Sequence, residues 1–243
     1  MSNSSLAAYA NITKTQKNSP RNAAIDTITI HCMAAQWTAK TCCDYFANAN
    51  RGASCNYAVG YDGSIGLNVD ECDRSWCTSS SVNDNRAVTI EVASDSYTPY
   101  AVKDAAYNAT IELVVDICKR NGIKKLVWST DKNARVNHLN GCNMTVHRDY
   151  SNKECPGDYL YERMGGIAAA VNAKLEEDNM TGEEIYKALT DYTAKLEVPD
   201  WAKYEYQLAI KAGITDGTNG MALIPRYQAA LMAYRAMEKG AAK

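Results

Sequence analysis

The segment IDTITIH, residues 25–31, alternates threonine with isoleucine and ends on a histidine. β-branched side chains at period two suit a pleated, half-buried surface, so the segment predicts a strand. A side chain at a strand end can point from the sheet edge into a cleft, which makes His31 a candidate for chemistry. Outward from this strand, SCNYAVGYDGSIGLNV (54–69) predicts a hairpin turning at Asp62-Gly63, a dipeptide that tolerates positive φ. RAVTIEVAS (86–94) predicts another apolar strand, with the charge of Glu91 set inside it. KDAAYNATIELVVDICKRNG (103–122) has apolar residues at 107, 111, 114, 115 and 118, the spacing of an amphipathic helix stopped by Gly122. KKLVW (124–128) reads as one more strand, followed by a long polar loop carrying His138 and His147. After Pro156, Leu160, Met164, Ile167, Val171 and Leu175 recur every three or four residues, a helix that closes the domain. Strands alternating with helices give an α/β domain, with a central sheet flanked by helices.

Composition bounds the function. The 243 residues are 46% hydrophobic and 22% charged, with 26 basic against 28 acidic residues, so bulk charge points to neither nucleic acid nor an anionic membrane. No run approaches the roughly 18 apolar residues of a membrane span. MSNSSLAAYANITKTQKNSPR lacks the basic start and apolar core of a signal peptide, so synthesis into the cytoplasm is expected. Nine cysteines, an odd number in a chain this large, fit a reducing compartment, most of them as small buried side chains.

All nine cysteines precede residue 156 and all three histidines precede 148, so composition breaks near EEDNMTG (176–182). The expected division is a domain of residues 1–177 and a module of residues 178–243. The module reads as short helices: TGEE (181–184) is a capping-box start, PDWAKYEYQLAIKAG (199–213) a second helix and PRYQAALMAYRAM (225–237) a third.

The chemistry concentrates in TVHRDYSNKECPG (145–157), where His147 and Cys155 stand eight positions apart. That spacing is wrong for one helical face, and a third partner must come from elsewhere. His31 supplies it. Two imidazoles and one thiolate suit tetrahedral Zn²⁺ with a fourth position open to water, whose pKa falls to about 7 when bound. Glu91 is the other candidate, because burying a carboxylate in an apolar strand is costly without a role or partner.

ITIHC (28–32), NYAVGYDGSI (56–65), DRSWC (73–77), TIE (89–91) and VHRDYSNKECPGDYL (146–160) together resemble the zinc-dependent N-acetylmuramoyl-L-alanine amidases. That superfamily includes phage amidase-type lysozymes and the peptidoglycan recognition proteins, and the likeness is strongest to endolysins of phages and prophages of Gram-positive hosts. It implies an amidase fold over residues 22–175, Zn²⁺ held by His31, His147 and Cys155, and peptidoglycan as substrate. It also implies Glu91 as proton shuttle, Lys153 as the cation that steadies the oxyanion, and Trp76 lining the glycan groove. His138, in the loop of His147, is a candidate substrate contact. Where part of the superfamily carries a tyrosine near the metal, counting back from the Asp-Gly turn reaches Cys55, with Tyr57, a candidate substrate contact, two residues later. An endolysin implies release by a partner such as a holin and action at the cell wall. The tail, DWAKYEYQLAIKAGITDGTNGMALIPRYQAALMAYRAM (200–237), resembles S-layer-homology-like repeats, which implies wall attachment; a tail that only oligomerises or stabilises the chain is the alternative. A peptidoglycan-recognition module without hydrolysis, and a bacterial autolysin, are the other readings.

Overall fold

The computed structural model describes residues 2–12, 18–48, 50–177, 181–218, 220–221 and 226–241. Residues 1–178 and 179–243 form separate compact units. Residues 178–180, inside the expected boundary, and Pro225, at the expected start of the last helix, lie outside the described residues.

In chain order the first unit runs β1 (Tyr9–Ala10), β2 (Asn18–Pro20), β3 (Thr27–Cys32), α1 (Ala39–Ala47), β4 (Tyr57–Val59), β5 (Ile65–Leu67) and β6 (Asp73–Ser75). It continues with α2 (Ser81–Arg86), β7 (Ala87–Val92), α3 (Asp104–Asn121), α4 (Lys132–Val136), β8 (Met144–Val146) and α5 (Gly157–Glu177). Six strands form one mixed sheet in the order β1-β5-β4-β7-β3-β8, and β2 and β6 form a two-stranded antiparallel ribbon. β3 is parallel to β7 and β8, β4 is parallel to β7, and β4 and β5 make the antiparallel hairpin around Asp62-Gly63. The α/β class with a mixed sheet and flanking helices is the one observed.

Register decides the two faces. Ile28 pairs with Val88 and Met144, Ile30 with Ile90 and Val146, and Tyr57 with Ile90. These side chains share one face and merge with Leu113, Val114 and Ile117 of α3 and Leu160, Met164 and Ile167 of α5 into the main core. On the other face stand Thr29 beside Thr89 and Thr145, and His31 beside Glu91, which in turn neighbours Ala58. Here the sheet is covered by α1 through a small cluster of Ala39, Cys42, Cys43, Cys55 and Ala58. Alternation at period two therefore separates an apolar face that holds the fold from a polar face available for chemistry.

Two sequence readings change. KKLVW forms no strand: the Leu126 N–H donates to Asn172 Oδ1 at 2.8 Å, and the Val127 N–H to Asn143 Oδ1 at 2.8 Å. Asparagine side chains take the backbone groups that a ladder would otherwise pair. The edge strand is instead Met144–Val146, inside the stretch read as loop, and α4 precedes it. α3 ends as expected, Gly122 adopting φ 70° and donating to the Cys118 and Lys119 carbonyls.

Tyr57, expected near substrate, is fully buried on the core face, its hydroxyl donating to Glu71 Oε1 at 2.6 Å and accepting the Ser4 N–H at 2.7 Å. One residue of alternation places it opposite Ala58 and Glu91. Glu71 also takes both terminal nitrogens of Arg120, at 2.6 and 2.9 Å, and Asn121 Nδ2 at 3.1 Å, joining the end of α3 to the loop after β5.

The second unit contains α6 (Gly182–Thr193), α7 (Asp200–Lys211) and α8 (Arg226–Ala241). Thr181 and Glu184 make the reciprocal capping box, Glu184 N–H to Thr181 Oγ1 at 3.2 Å and Thr181 N–H to Glu184 Oε2 at 2.8 Å. No residue of α6 or α7 is buried, and Trp201 is 83% exposed.

Glu71→Ala removes the acceptor of the buried Tyr57 phenol and leaves the partly exposed Arg120 only its Asp116 carboxylate partner, and loss of such a buried hydrogen-bond partner costs about 1–3 kcal/mol. Urea unfolding should show that loss.

Candidate metal and catalytic site

The parallel strands β3, β7 and β8 end together, and residues just beyond or at those ends converge, the usual location of a site in an open α/β sheet. His31 and Glu91 are register partners, and His147 follows Val146, the partner of Ile30. Cys155 arrives from the loop that leads into α5, its carbonyl accepting the Arg148 N–H at 3.1 Å. Each of His31, His147 and Cys155 places one donor atom within 4.8 Å of the other two. His31 Nδ1 lies 3.4 Å from Cys155 Sγ, and the two imidazole centroids are 5.0 Å apart.

Neighbouring groups hold these residues in place. Arg135 and Asp149 form a buried two-pronged pair, 2.8 and 2.5 Å, and Asp149 also accepts the Val146 N–H at 3.2 Å. Arg135 lies 4.5 Å from the centre of the Trp128 ring and donates to the Ser129 carbonyl, so the turn bearing His147 is fixed from beneath. Thr29, Thr145, Asn83 and Tyr150 are linked by hydrogen bonds of 2.7–3.0 Å under the site. Gly157 has φ +78°, and a Cβ there would fall 2.5 Å from Tyr100 Cβ, so only glycine fits behind Cys155-Pro156. Tyr100 in turn donates to the Glu154 carboxylate.

Desolvation sets the electrostatics. Burial holds His31 well below the usual imidazole range, with His147 adding to it, and burial followed by the Lys153 charge lowers His147. Burial likewise pushes the Glu91 carboxyl and the Cys155 thiol well above their ordinary values. Glu91 Oε1 is 4.0 Å from His31 Nδ1, and burial opposes charge on both groups. Nε2 of His31, Nε2 of His147 and Oε2 of Glu91 are buried without a hydrogen-bond partner. Such orphaned atoms are costly. A divalent cation inverts this balance, favouring thiolate and carboxylate, and the donor set of two imidazoles and one thiol fits Zn²⁺.

The remaining sequence candidates fall in different places. Trp76, about one-third exposed, lines a cavity of about 290 Å³ with Arg74, Cys77, Asp84 and His147. Asp84 shapes that wall by accepting the Cys77 and Thr78 N–H groups at 3.1 and 3.2 Å. Lys153 is exposed and lines another cavity of about 270 Å³ with Tyr100, Arg148 and Asp158. Cys55 is buried under α1. His138 is not brought to the site. It precedes β8, so in a parallel arrangement it sits at the far end of the sheet, where Nδ1 contacts the Cys142 carbonyl at 2.9 Å and the ring acts on Asp26. Sequence reasoning missed Cys77, whose Sγ is 3.8 Å from Glu91 Oε1, because it passed as one small buried thiol among nine.

The family described as N-acetylmuramoyl-L-alanine amidase matches residues 21–158, more than half of the chain. The chain belongs to this amidase family. Its matched span contains His31, Glu91, His147 and Cys155, so the convergent donors lie inside the amidase domain. Solved structures share the amidase fold. PlyL is 17% identical with a TM-score of 0.50, covering 67% of this chain and 95% of its own. The Staphylococcus aureus hydrolase AmiA, in complex with its ligand, is 17% identical with a TM-score of 0.51, covering 69% and 82%. The endolysin N-acetylmuramoyl-L-alanine amidase LysCS of Clostridium intestinale is 16% identical with a TM-score of 0.46, covering 70% and 96%. No curated protein matches the chain. Family membership assigns peptidoglycan amidase chemistry to this domain, and among the described residues no helix is long and apolar enough to cross a membrane.

Gly157→Ala forces an L side chain into left-handed backbone against Tyr100, which costs about 1–3 kcal/mol. Thermal unfolding should register the loss.

Proposed function

We propose that the protein is a zinc-dependent peptidoglycan hydrolase that cleaves the amide between the lactyl group of N-acetylmuramic acid and the L-alanine of the stem peptide. The observation that carries the proposal is the convergence of His31, His147 and Cys155 within 4.8 Å, with a buried carboxylate beside them. These three residues would hold Zn²⁺, which when bound supplies Lewis acidity for the scissile carbonyl and acidifies water.

The chain's own residues do the rest. Glu91, unpaired at Oε2, takes the proton of the attacking water and returns it to the departing nitrogen, so that the amine leaves neutral. The Lys153 ammonium, near enough to depress His147, stabilises the negative charge that develops on the carbonyl oxygen. Trp76 offers a ring face on the wall of the groove for a sugar ring.

The biological role that fits is a phage endolysin, made in the host cytoplasm, released through a holin and acting on the wall. Residues 178–243 would anchor it there or join copies of the chain. Deleting residues 180–243 should then reduce pelleting with walls while sparing cleavage of soluble muropeptides. An unchanged pelleting fraction assigns the module to oligomerisation or stability.

Purified walls incubated with the protein should release stem peptides beginning with L-alanine and leave glycan strands intact, read by mass spectrometry. Binding without release would overturn the hydrolase reading. Cys155→Ser should lose both zinc and activity. Glu91→Gln should keep zinc and lose turnover by about 100-fold or more, the usual contribution of a general acid–base.

A further inference from the structure

Arg74 is a cation without a counterpart. Arg86, Arg120, Arg135 and Arg148 each face a carboxylate, at N···O distances of 2.5–3.3 Å, but among the described residues no ion pair reaches Arg74. Its Nε is buried with no hydrogen-bond partner, and its Cζ lies 5.9 Å from the centre of the Trp76 ring. Alternation produces this placement: Ser75 turns inward, its hydroxyl 2.6 Å from that of Thr89, so Arg74 and Trp76 turn together to the other side. A guanidinium has five donors and no acceptor, and a planar carboxylate matches its fork.

Arg74 and Trp76 line the cavity of about 290 Å³ that also has His147 in its wall. Asp84, in the same wall, is already committed: it accepts the Cys77 and Thr78 N–H groups at 3.1 and 3.2 Å and the Thr78 hydroxyl at 2.6 Å. The acceptor that Arg74 lacks is one that a ligand brings. A stem peptide brings it. Its second residue is a D-glutamate joined onward through the side chain, which leaves the α-carboxylate free unless it is amidated. A chain whose scissile amide meets His147 sets that group two residues further along, about 7 Å of extended backbone.

We propose that Arg74 is a specificity-determining residue that binds the free α-carboxylate of the second stem residue, favouring acidic stems over amidated ones. The assignment rests on the amidase reading, because the position of the scissile bond decides which carboxylate is in reach. The contact is made before the bond breaks and persists while it breaks, so it acts on KM rather than on kcat.

The test is cleavage by the zinc-loaded full chain of two synthetic substrates, N-acetylmuramyl-L-alanyl-γ-D-glutamyl-L-lysine and the same molecule with the glutamyl α-carboxyl amidated. Wild type should prefer the acid by about 10-fold or more in kcat/KM, the loss expected for one charge-assisted hydrogen bond, with the difference in KM. Arg74→Gln should bring the ratio to about one, and Arg74→Lys, which keeps the charge without the fork, should fall between. Each ratio is taken within one preparation, so partial unfolding of a variant cancels. Equal kcat/KM of wild type on both substrates, or a preference that Arg74→Gln leaves intact, overturns the proposal and leaves Arg74 only a stacking partner of Trp76. Failure of the amidase reading looks different: neither substrate is cleaved. Calorimetric titration of the same two molecules then reads the affinity ratio directly, with the same results expected for wild type and Arg74→Gln and the same results overturning the proposal.

Discussion

Parallel pairing of Thr27–Cys32 with Ala87–Val92, and of the same strand with Met144–Val146, determines which side chains share a face. Ile30, Ile90 and Val146 turn to the helices; His31 and Glu91 turn to the groove. A slip of one residue would exchange the two sets, burying an imidazole and a carboxylate in the core and exposing isoleucines. The apolar face therefore enforces the register that the chemistry requires. Stability and function are coupled through this alternation.

Around that register the protein assembles atoms that are poorly satisfied in isolation. Burial drives His31, Glu91 and Cys155 toward their neutral forms, and buried nitrogens and an oxygen remain without partners. Parts of the surrounding framework are paired: Arg135 with Asp149, Asn83 with Thr29 and Thr145, and Asp84 with the 77–78 backbone. A hydrogen-bonded support beneath an unsatisfied centre is the arrangement that favours a bound cation over collapse of the donors onto other groups.

Much of this was legible in the sequence. The strand 27–32, the Asp62-Gly63 turn and the helix stopped by Gly122 each carry a local signal that tertiary packing does not override. The three donors were legible as an ordered motif, although spacing alone left His147 and Cys155 without a partner. KKLVW was misread because its extended, apolar character is real, while its ladder is replaced by Asn143 and Asn172 from distant positions. Tyr57 and His138 were misplaced because nearness in sequence to a motif says nothing about sheet face or strand end. Cys77 was overlooked because its significance lies in a distance to Glu91, fourteen residues later in the chain, that only the β6–β7 geometry creates.

The central claim is that His31, His147 and Cys155 hold one zinc ion beside Glu91. Anomalous diffraction at the zinc edge from crystals of the zinc-loaded protein tests it most directly. The account predicts a peak about 2.0–2.1 Å from one nitrogen of each histidine and about 2.3 Å from the Cys155 sulfur. A zinc-loaded crystal with no peak among these three residues would contradict it.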